Sequence, residues 1–235
     1  KQSDGTGPNI DSIKAGVADI AIVENNLSYV EGIKTSLPIY KQVLHVFYRS
    51  EDPSTTLEEL LYGKRVYIGI KGSSSEIFMR SLFEFYDLDT DKFEITENQF
   101  DNDVFCGFSD IITEEIFLKS LKEEGYRLFS FDDIENFGRG SKAEAITLRY
   151  PHYETFVIPS GTYGTLTVDP VITIATEALL IVKSSLSDNF VYEITKTIYR
   201  EKQVLNEISP LVYGTMKEDF DRGEISFPLH NVARL

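Results

Sequence analysis

The sequence predicts an α/β fold with a largely parallel sheet. Apolar runs of strand length, such as Ala18 to Val23, Val43 to Tyr48 and Arg65 to Ile70, alternate with segments whose apolar residues recur at helical spacing. The chain has 235 residues, 42% of them apolar and 26% charged, which suits one large folded domain or two small ones. Glycine- and hydroxyl-rich loops follow several of the apolar runs, as at the open ends of buried strands.

The elements follow in order. Ile10 and Ile13 share one helical face, and Gly16 is placed as a C-terminal stop. Ala18 to Val23 then reads as a buried strand that ends in polar Glu24-Asn25-Asn26. Val43 to Tyr48 is a second strand, and the turn Glu51-Asp52-Pro53-Ser54-Thr55 caps a short helix from Leu57 to Leu61, closed by Gly63. The strand Arg65 to Ile70 feeds Gly72-Ser73-Ser74-Ser75, after which Ile77, Phe78, Leu82 and Phe85 mark a helix. Ser109-Asp110 is expected to cap a helix running to about Leu121, stopped by Gly125. Arg127 to Phe131 reads as a strand and Asp132 to Lys142 as a loop. Thr155 to Ile158 leads into the turn cluster Pro159 to Gly164. Val171 to Val182 is strand material with a break expected near Glu177. Ser187 caps a long helix from about Phe190 to Glu207, and a shorter helix is expected before Gly223.

Charge and composition exclude several classes. The net charge is −15, from 23 basic and 38 acidic residues, which argues against nucleic acid and against a polybasic membrane surface. No run approaches the about 18 apolar residues that span a bilayer. One cysteine, Cys106, excludes a disulfide scaffold and reads as a small buried hydrophobe. His45, His152 and His230 are too scattered for a metal signature and read as packing or surface residues; no metal or other cofactor is expected. The chain lacks a P-loop, a Rossmann fingerprint and a serine-hydrolase elbow, and its paired carboxylates read as solvated faces. It is therefore not expected to be an enzyme.

Three loops remain: Gly5 to Asn9, Gly72 to Ser75, and Ser160 to Tyr163. Each is small, hydroxyl-bearing and next to an apolar strand. In open α/β sheets ligands bind beyond the carboxyl ends of strands, and two of these loops lead into helix starts, whose free amides favour anions. Such loops suit reversible capture of a carboxylate or phosphate by neutral donors.

The order of these pieces resembles the solute-binding proteins of TRAP transporters, in the TAXI subfamily, which includes proteins met as bacterial immunogenic proteins. Gly5-Thr6, Asn9 and Gly16 to Val23 look like that family's G-S-x-x-N and G-E-A-D-L-A-I-V-Q. Lys64 to Gly69 with Gly72 to Ser75 is similar to K-R-V-x-V-G-x-x-G-S-G-T, Ile158 to Tyr163 to I-P-A-G-T-Y, and Pro228-Leu229-His230 to the terminal P-L-H.

The resemblance implies a two-lobed type II periplasmic-binding-protein fold with a ligand cleft between the lobes. Lobe 1 is expected over 1–62 plus 172–235, and lobe 2 over 63–171. It also implies a periplasmic, monomeric protein, its signal peptide removed, that captures a glutamate-like amino acid or an organic acid by lobe closure and passes it to a TRAP-type permease. The implied ligand-binding residues are Gly5, Thr6, Asn9, Glu24, Gly72, Ser73, Ser74, Ser75, Thr162 and Tyr163. Three departures stand out. The sequence starts after the family's opening strand-helix unit with S-G-G-x-Y-Y, which is either trimmed or lacking, the family's G-x-P element is not evident around Phe105 to Ile112, and its glutamine after A-I-V is Glu24 here. A carboxylate at that place favours a zwitterionic amino acid over a dicarboxylate. A ligand-sensing domain or surface antigen of the same fold, and an enzyme on this scaffold, are the alternatives.

Overall fold

The computed structural model describes residues 5–49, 53–208, 211 and 225–232. In chain order the elements are α1 (Thr6–Lys14), β1 (Ile20–Glu24), β2 (Ile33–Arg49), α2 (Leu57–Leu61), β3 (Arg65–Tyr67), α3 (Ser74–Phe85), β4 (Glu94–Ile95), β5 (Val104–Ser109), α4 (Glu115–Glu123), β6 (Tyr126–Leu128), α5 (Lys142–Arg149), β7 (Tyr153–Ile158), β8 (Val171–Lys183), α6 (Asp188–Arg200) and α7 (Lys202–Ile208). The strands hydrogen-bond in the order β1-β8-β2-β5-β3-β4, with β6 also on β2 and β7 on β8. None of the described helices is long and apolar enough to cross a membrane.

The α/β class is as expected, but the sheet is mixed. β3 pairs in parallel with β4 and β5, whereas β1–β8, β2–β5 and β2–β6 are antiparallel. Only parallel pairs require a crossover of the kind that α3 supplies after β3.

The chain divides into two compact units. The first holds residues 1–42, 72–74 and 176–235; the second holds 43–71 and 75–175. β2 and β8 each contribute residues to both.

In the first unit, β8 pairs with β1 from Ile20↔Val182 to Glu24↔Ala178. Ile10, Ile13, Val23, Ile33, Leu179, Ile181 and Phe227 form one core, and Leu37, Ile39 and Leu180 form another against Ile194 and Ile198 of α6. Ser36 and Thr195 share a buried 2.7 Å hydrogen bond that ties α6 to β2. The Pro228-Leu229-His230 segment pairs with β2: Thr35 N donates to Pro228 O and His230 N to Thr35 O.

In the second unit, β2 lies between β5, from Val43↔Ser109 to Tyr48↔Val104, and β6, from Phe47↔Leu128 to Arg49↔Tyr126. Its core includes Leu44, Val46, Phe78, Leu82, Val104, Cys106 and Ile172. Cys106 is fully buried there, and burial pushes its thiol well above the ordinary range, as expected of a packing residue.

Several local expectations change. β2 starts at Ile33 rather than Val43, because Ile33, Leu37 and Ile39 all have core to enter. β8 runs unbroken through Glu177, whose carbonyl accepts Asn25 N at 2.9 Å. Ser109-Asp110 is not a helix cap: β5 continues to Ser109, the Ser109 hydroxyl donates to Asp110 O, and α4 begins only at Glu115. The Asp132 to Lys142 loop ends in a capping box, Ser141 with Glu144, that starts the unexpected helix α5. The helix expected over Phe190 to Glu207 is two helices, parted at Glu201. Ser187 caps the first as expected, accepting from Phe190 N. The helix expected before Gly223 lies outside the described residues.

Candidate functional site

In the first unit the site is built from the ends of α1 and β1, the segment 72–74, and one residue of β2. α1 is preceded by Gly5, whose φ of 113° is open to glycine and strained for any other residue. The next residue, Thr6, is 3% exposed, and its Oγ1 accepts the Glu24 amide at 3.4 Å. One turn on, Asn9 Nδ2 donates to Ile22 O at 2.7 Å. The reason lies in the β1 register. Asn25 N bonds to Glu177 O and Lys183 N to Asp19 O, so residues 19, 21, 23 and 25 face β8 with their backbone groups. The backbone groups of Ile22 and Glu24 therefore face the other way, and β1 is terminal in the strand order. The Thr6 and Asn9 side chains cover that outer edge, so both have a structural task, and a sequence reading cannot separate it from a ligand-binding one.

The rest of the cluster closes around Glu24. Asn26 Nδ2 donates to Ser74 O at 3.0 Å, joining the end of β1 to the segment 72–74. Gly72, at φ 77°, brings its carbonyl so near α1 that a Cβ on Gly7 would meet it at 3.4 Å. Gln42 of β2 hydrogen-bonds the Glu24 carboxylate. Desolvation holds the Glu24 carboxyl above its ordinary range, with hydrogen bonds from its own backbone and from Gln42 acting in the opposite direction. Three buried oxygens of this cluster, Glu24 Oε2, Gln42 Oε1 and Ser74 Oγ, have no hydrogen-bond partner among the described residues. Ser74 itself is only 3% exposed. Buried polar groups are nearly always paired, and leaving one unpaired costs about 1–3 kcal/mol. Their occurrence together makes this cluster a candidate site.

Gln42 was not singled out in the sequence. The signal was a lone amide directly before the apolar run that starts at Val43, but its importance comes from meeting Glu24, 18 residues earlier in the chain.

The other expected site residues lie in the second unit. Ser75 Oγ accepts Phe108 N at 2.9 Å. The Thr162 hydroxyl turns back onto Pro159 O at 2.7 Å, within its own turn. The Tyr163 hydroxyl contacts His45 Nε2 at 2.7 Å and accepts Ile112 N at 3.3 Å. His45 Nδ1 in turn meets Ser109 Oγ at 3.1 Å. Ser75 and Tyr163 are thus both tied to the end of β5, at Phe108 and, through His45, at Ser109. Burial drives the His45 pKa down to about 4, so the ring is neutral at pH 7, and burial raises the Tyr163 phenol to about 12. Gly5, Thr6, Asn9, Glu24, Gly72, Ser73 and Ser74 share the first unit, while Ser75, Thr162 and Tyr163 belong to the second.

A groove of about 910 Å³ in the second unit contains none of these residues. Arg49, Lys122, Arg127, Tyr126 and Leu166 are among those lining it. Arg49 is already engaged there, by Glu124 at 2.5 Å and by the Tyr126 ring at 4.5 Å. Volume alone is a weaker sign of a site than buried groups without partners, and the polar cluster of the first unit is the better candidate.

Residues 127–234 match the model of the NMT1-like family. The matched segment runs from Arg127 in β6 through α7 and includes the Pro228-Leu229-His230 strand partner. Among solved structures, one described as the molecular and structural basis of glutathione import via GshT and the cystine ABC importer TcyBC of Streptococcus mutans is 11% identical, with a TM-score of 0.50 over 93% of this chain and 80% of that one. The arginine-, lysine-, histidine-binding protein ArtJ of Geobacillus stearothermophilus is 10% identical, with a TM-score of 0.48 over 94% of this chain and 80% of that one. Full-length BenM is 11% identical, with a TM-score of 0.41 over 85% of this chain; the chain spans only 56% of the BenM length. The fold around the NMT1-like segment is that of the type II periplasmic binding proteins.

Proposed function

We propose that this chain is a periplasmic solute-binding protein that captures a small carboxylate-bearing ligand, a glutamate-like amino acid or an organic acid, and delivers it to a TRAP-type permease. The observation that carries the reading is the occurrence in the first unit of three buried oxygens without a partner among the described residues, at Glu24, Gln42 and Ser74, with Gln42 hydrogen-bonded to Glu24 and the Ser74 carbonyl to Asn26. The fold, the NMT1-like match and the ordered motifs from Gly5 to His230 support the same reading.

In this proposal lobe 1 comprises 1–62 and 172–235 and lobe 2 comprises 63–171. Thr6 Oγ1 accepts from Glu24 N, which leaves its own hydrogen to donate. Ser74 Oγ, in the first turn of α3, is a second neutral donor. Both suit a ligand carboxylate, and a hydrogen bond to a charged group contributes about 1.5–3 kcal/mol. The net charge of −15 opposes an anion at long range, but physiological salt screens that repulsion beyond about 8 Å, so these local donors decide affinity.

A thermal-shift screen over amino acids and organic acids tests the proposal. A ligand present at about 100 times its Kd stabilises the folded state by about 2.7 kcal/mol, which a melting curve resolves. A screen without a single stabilising compound overturns the solute-binding reading.

A further inference from the structure

Resting on the solute-binding reading, the geometry of the first unit narrows the ligand class. We infer that Glu24 and Gln42 form an acceptor pair for a protonated amine, so that the site takes α-amino acids in preference to the 2-oxo acids of the same carbon skeleton.

The argument is one of valence and charge. A carboxylate has no hydrogen to give, and an amide oxygen only accepts. The Gln42 side chain already hydrogen-bonds Glu24, yet Glu24 Oε2 and Gln42 Oε1 remain buried without a partner among the described residues. What the pair lacks is a donor. Among the described residues, desolvation dominates the Glu24 environment, and the hydrogen bonds that act on its carboxyl come from neutral groups, its own backbone and Gln42. A buried carboxylate without a cation is costly, and a water molecule would satisfy the oxygens without neutralising the charge. A metal ion would neutralise it, but no group of three His, Cys, Asp or Glu side chains able to hold one occurs among the described residues. A primary ammonium supplies the charge and three donors in a volume comparable to a water molecule. Thr6 and Ser74, each 3% exposed, lie on the elements that flank Glu24 and offer hydroxyl hydrogens to the carboxylate of the same ligand. An amino acid satisfies both halves of that set; an oxo acid places a carbonyl oxygen against two acceptors.

The test is isothermal titration calorimetry on the whole chain with two matched pairs, L-glutamate against 2-oxoglutarate and L-leucine against 4-methyl-2-oxopentanoate. The amine member of at least one pair is expected to bind more tightly by at least about tenfold. Glu24→Gln is expected to abolish that preference, and Gln42→Met to reduce it, with circular dichroism verifying that both variants fold. Oxo acids that bind as well as their amine counterparts, or a Glu24→Gln variant that keeps the preference, overturn this inference and leave the solute-binding reading standing. If neither these four compounds nor any in the wider thermal-shift screen binds, the solute-binding reading itself falls, and this inference with it.

Discussion

The hydroxyl of Tyr163 lies 2.7 Å from Nε2 of His45, and the two residues are 118 positions apart in the chain. The surrounding bonds assign a direction to the contact. The Ser109 hydroxyl donates to Asp110 O, so it accepts from His45 Nδ1, which therefore carries the ring proton. Nε2 is then bare and accepts from Tyr163, whose oxygen takes the Ile112 amide. The chain of bonds is complete only while the ring is neutral.

That polarity predicts a pH dependence. In the unfolded chain His45 titrates near its ordinary value of 6.5, and in the folded chain near about 4. Between these values the unfolded state binds more protons, so stability is fully present above pH 6.5 and falls as pH drops toward 4. The shift corresponds to about 3 kcal/mol. Denaturant titrations of the wild type between pH 4 and 7 are expected to show this loss, and a His45→Gln variant to lack most of it.

Tyr163→Phe removes the hydroxyl and leaves His45 Nε2 and Ile112 N without their partner. The expected cost is about 1–3 kcal/mol, read as a lower midpoint of chemical denaturation at pH 7. An unchanged midpoint would show that the network is not holding the loop.

Ser74→Ala behaves oppositely. Ser74 Oγ bonds to nothing among the described residues, while the backbone carbonyl that Asn26 uses survives the substitution. The melting temperature of the unliganded protein should therefore stay within about a degree, since the variant sacrifices no internal bond. Ligand affinity should fall roughly tenfold, the equivalent of one hydrogen bond to a charged group. Calorimetry and a melting curve on one preparation check both halves.

Glu24→Gln removes a charge that burial disfavours. The sign follows from the raised pKa. The folded state holds its proton to a higher pH than the unfolded state, so the wild type loses stability as pH rises through the carboxyl titration. A neutral amide escapes that loss. The unliganded variant should melt above the wild type at pH 7 and converge with it in acid; a variant that melts lower at pH 7 would contradict the burial argument.

α5 offers a test of local structure. Ser141 Oγ accepts Glu144 N while the Glu144 carboxylate takes the Ser141 amide at 2.7 Å. Ser141→Ala should destabilise the protein by about 1 kcal/mol without touching the proposed site.

How much of this was legible in the sequence depends on the range over which each signal acts. The α1 stop at Gly16, the α2 helix, the α3 apolar stripe and the Ser187 cap follow from residues within one or two turns of each other, and each appears where those residues place it. The length of β2, the continuity of β8 through Glu177 and the mixed strand directions do not, because they depend on which cores a strand can enter once its neighbours are in place. The α5 helix follows a polar, glycine-bearing stretch, and its Ser141–Glu144 capping box is a weak local signal there.

The site divides in the same way. The sequence by itself determined an acidic α/β chain whose glycine- and hydroxyl-rich loops follow strands, because turn chemistry and apolar periodicity are local properties of consecutive residues. Only the tertiary structure decided that Thr6 and Asn9 cover the edge of β1, that Gln42 meets Glu24, and that His45 holds Tyr163. Hydrogen-bond valence and desolvation belong to groups brought together by folding, so no single stretch of sequence carries them.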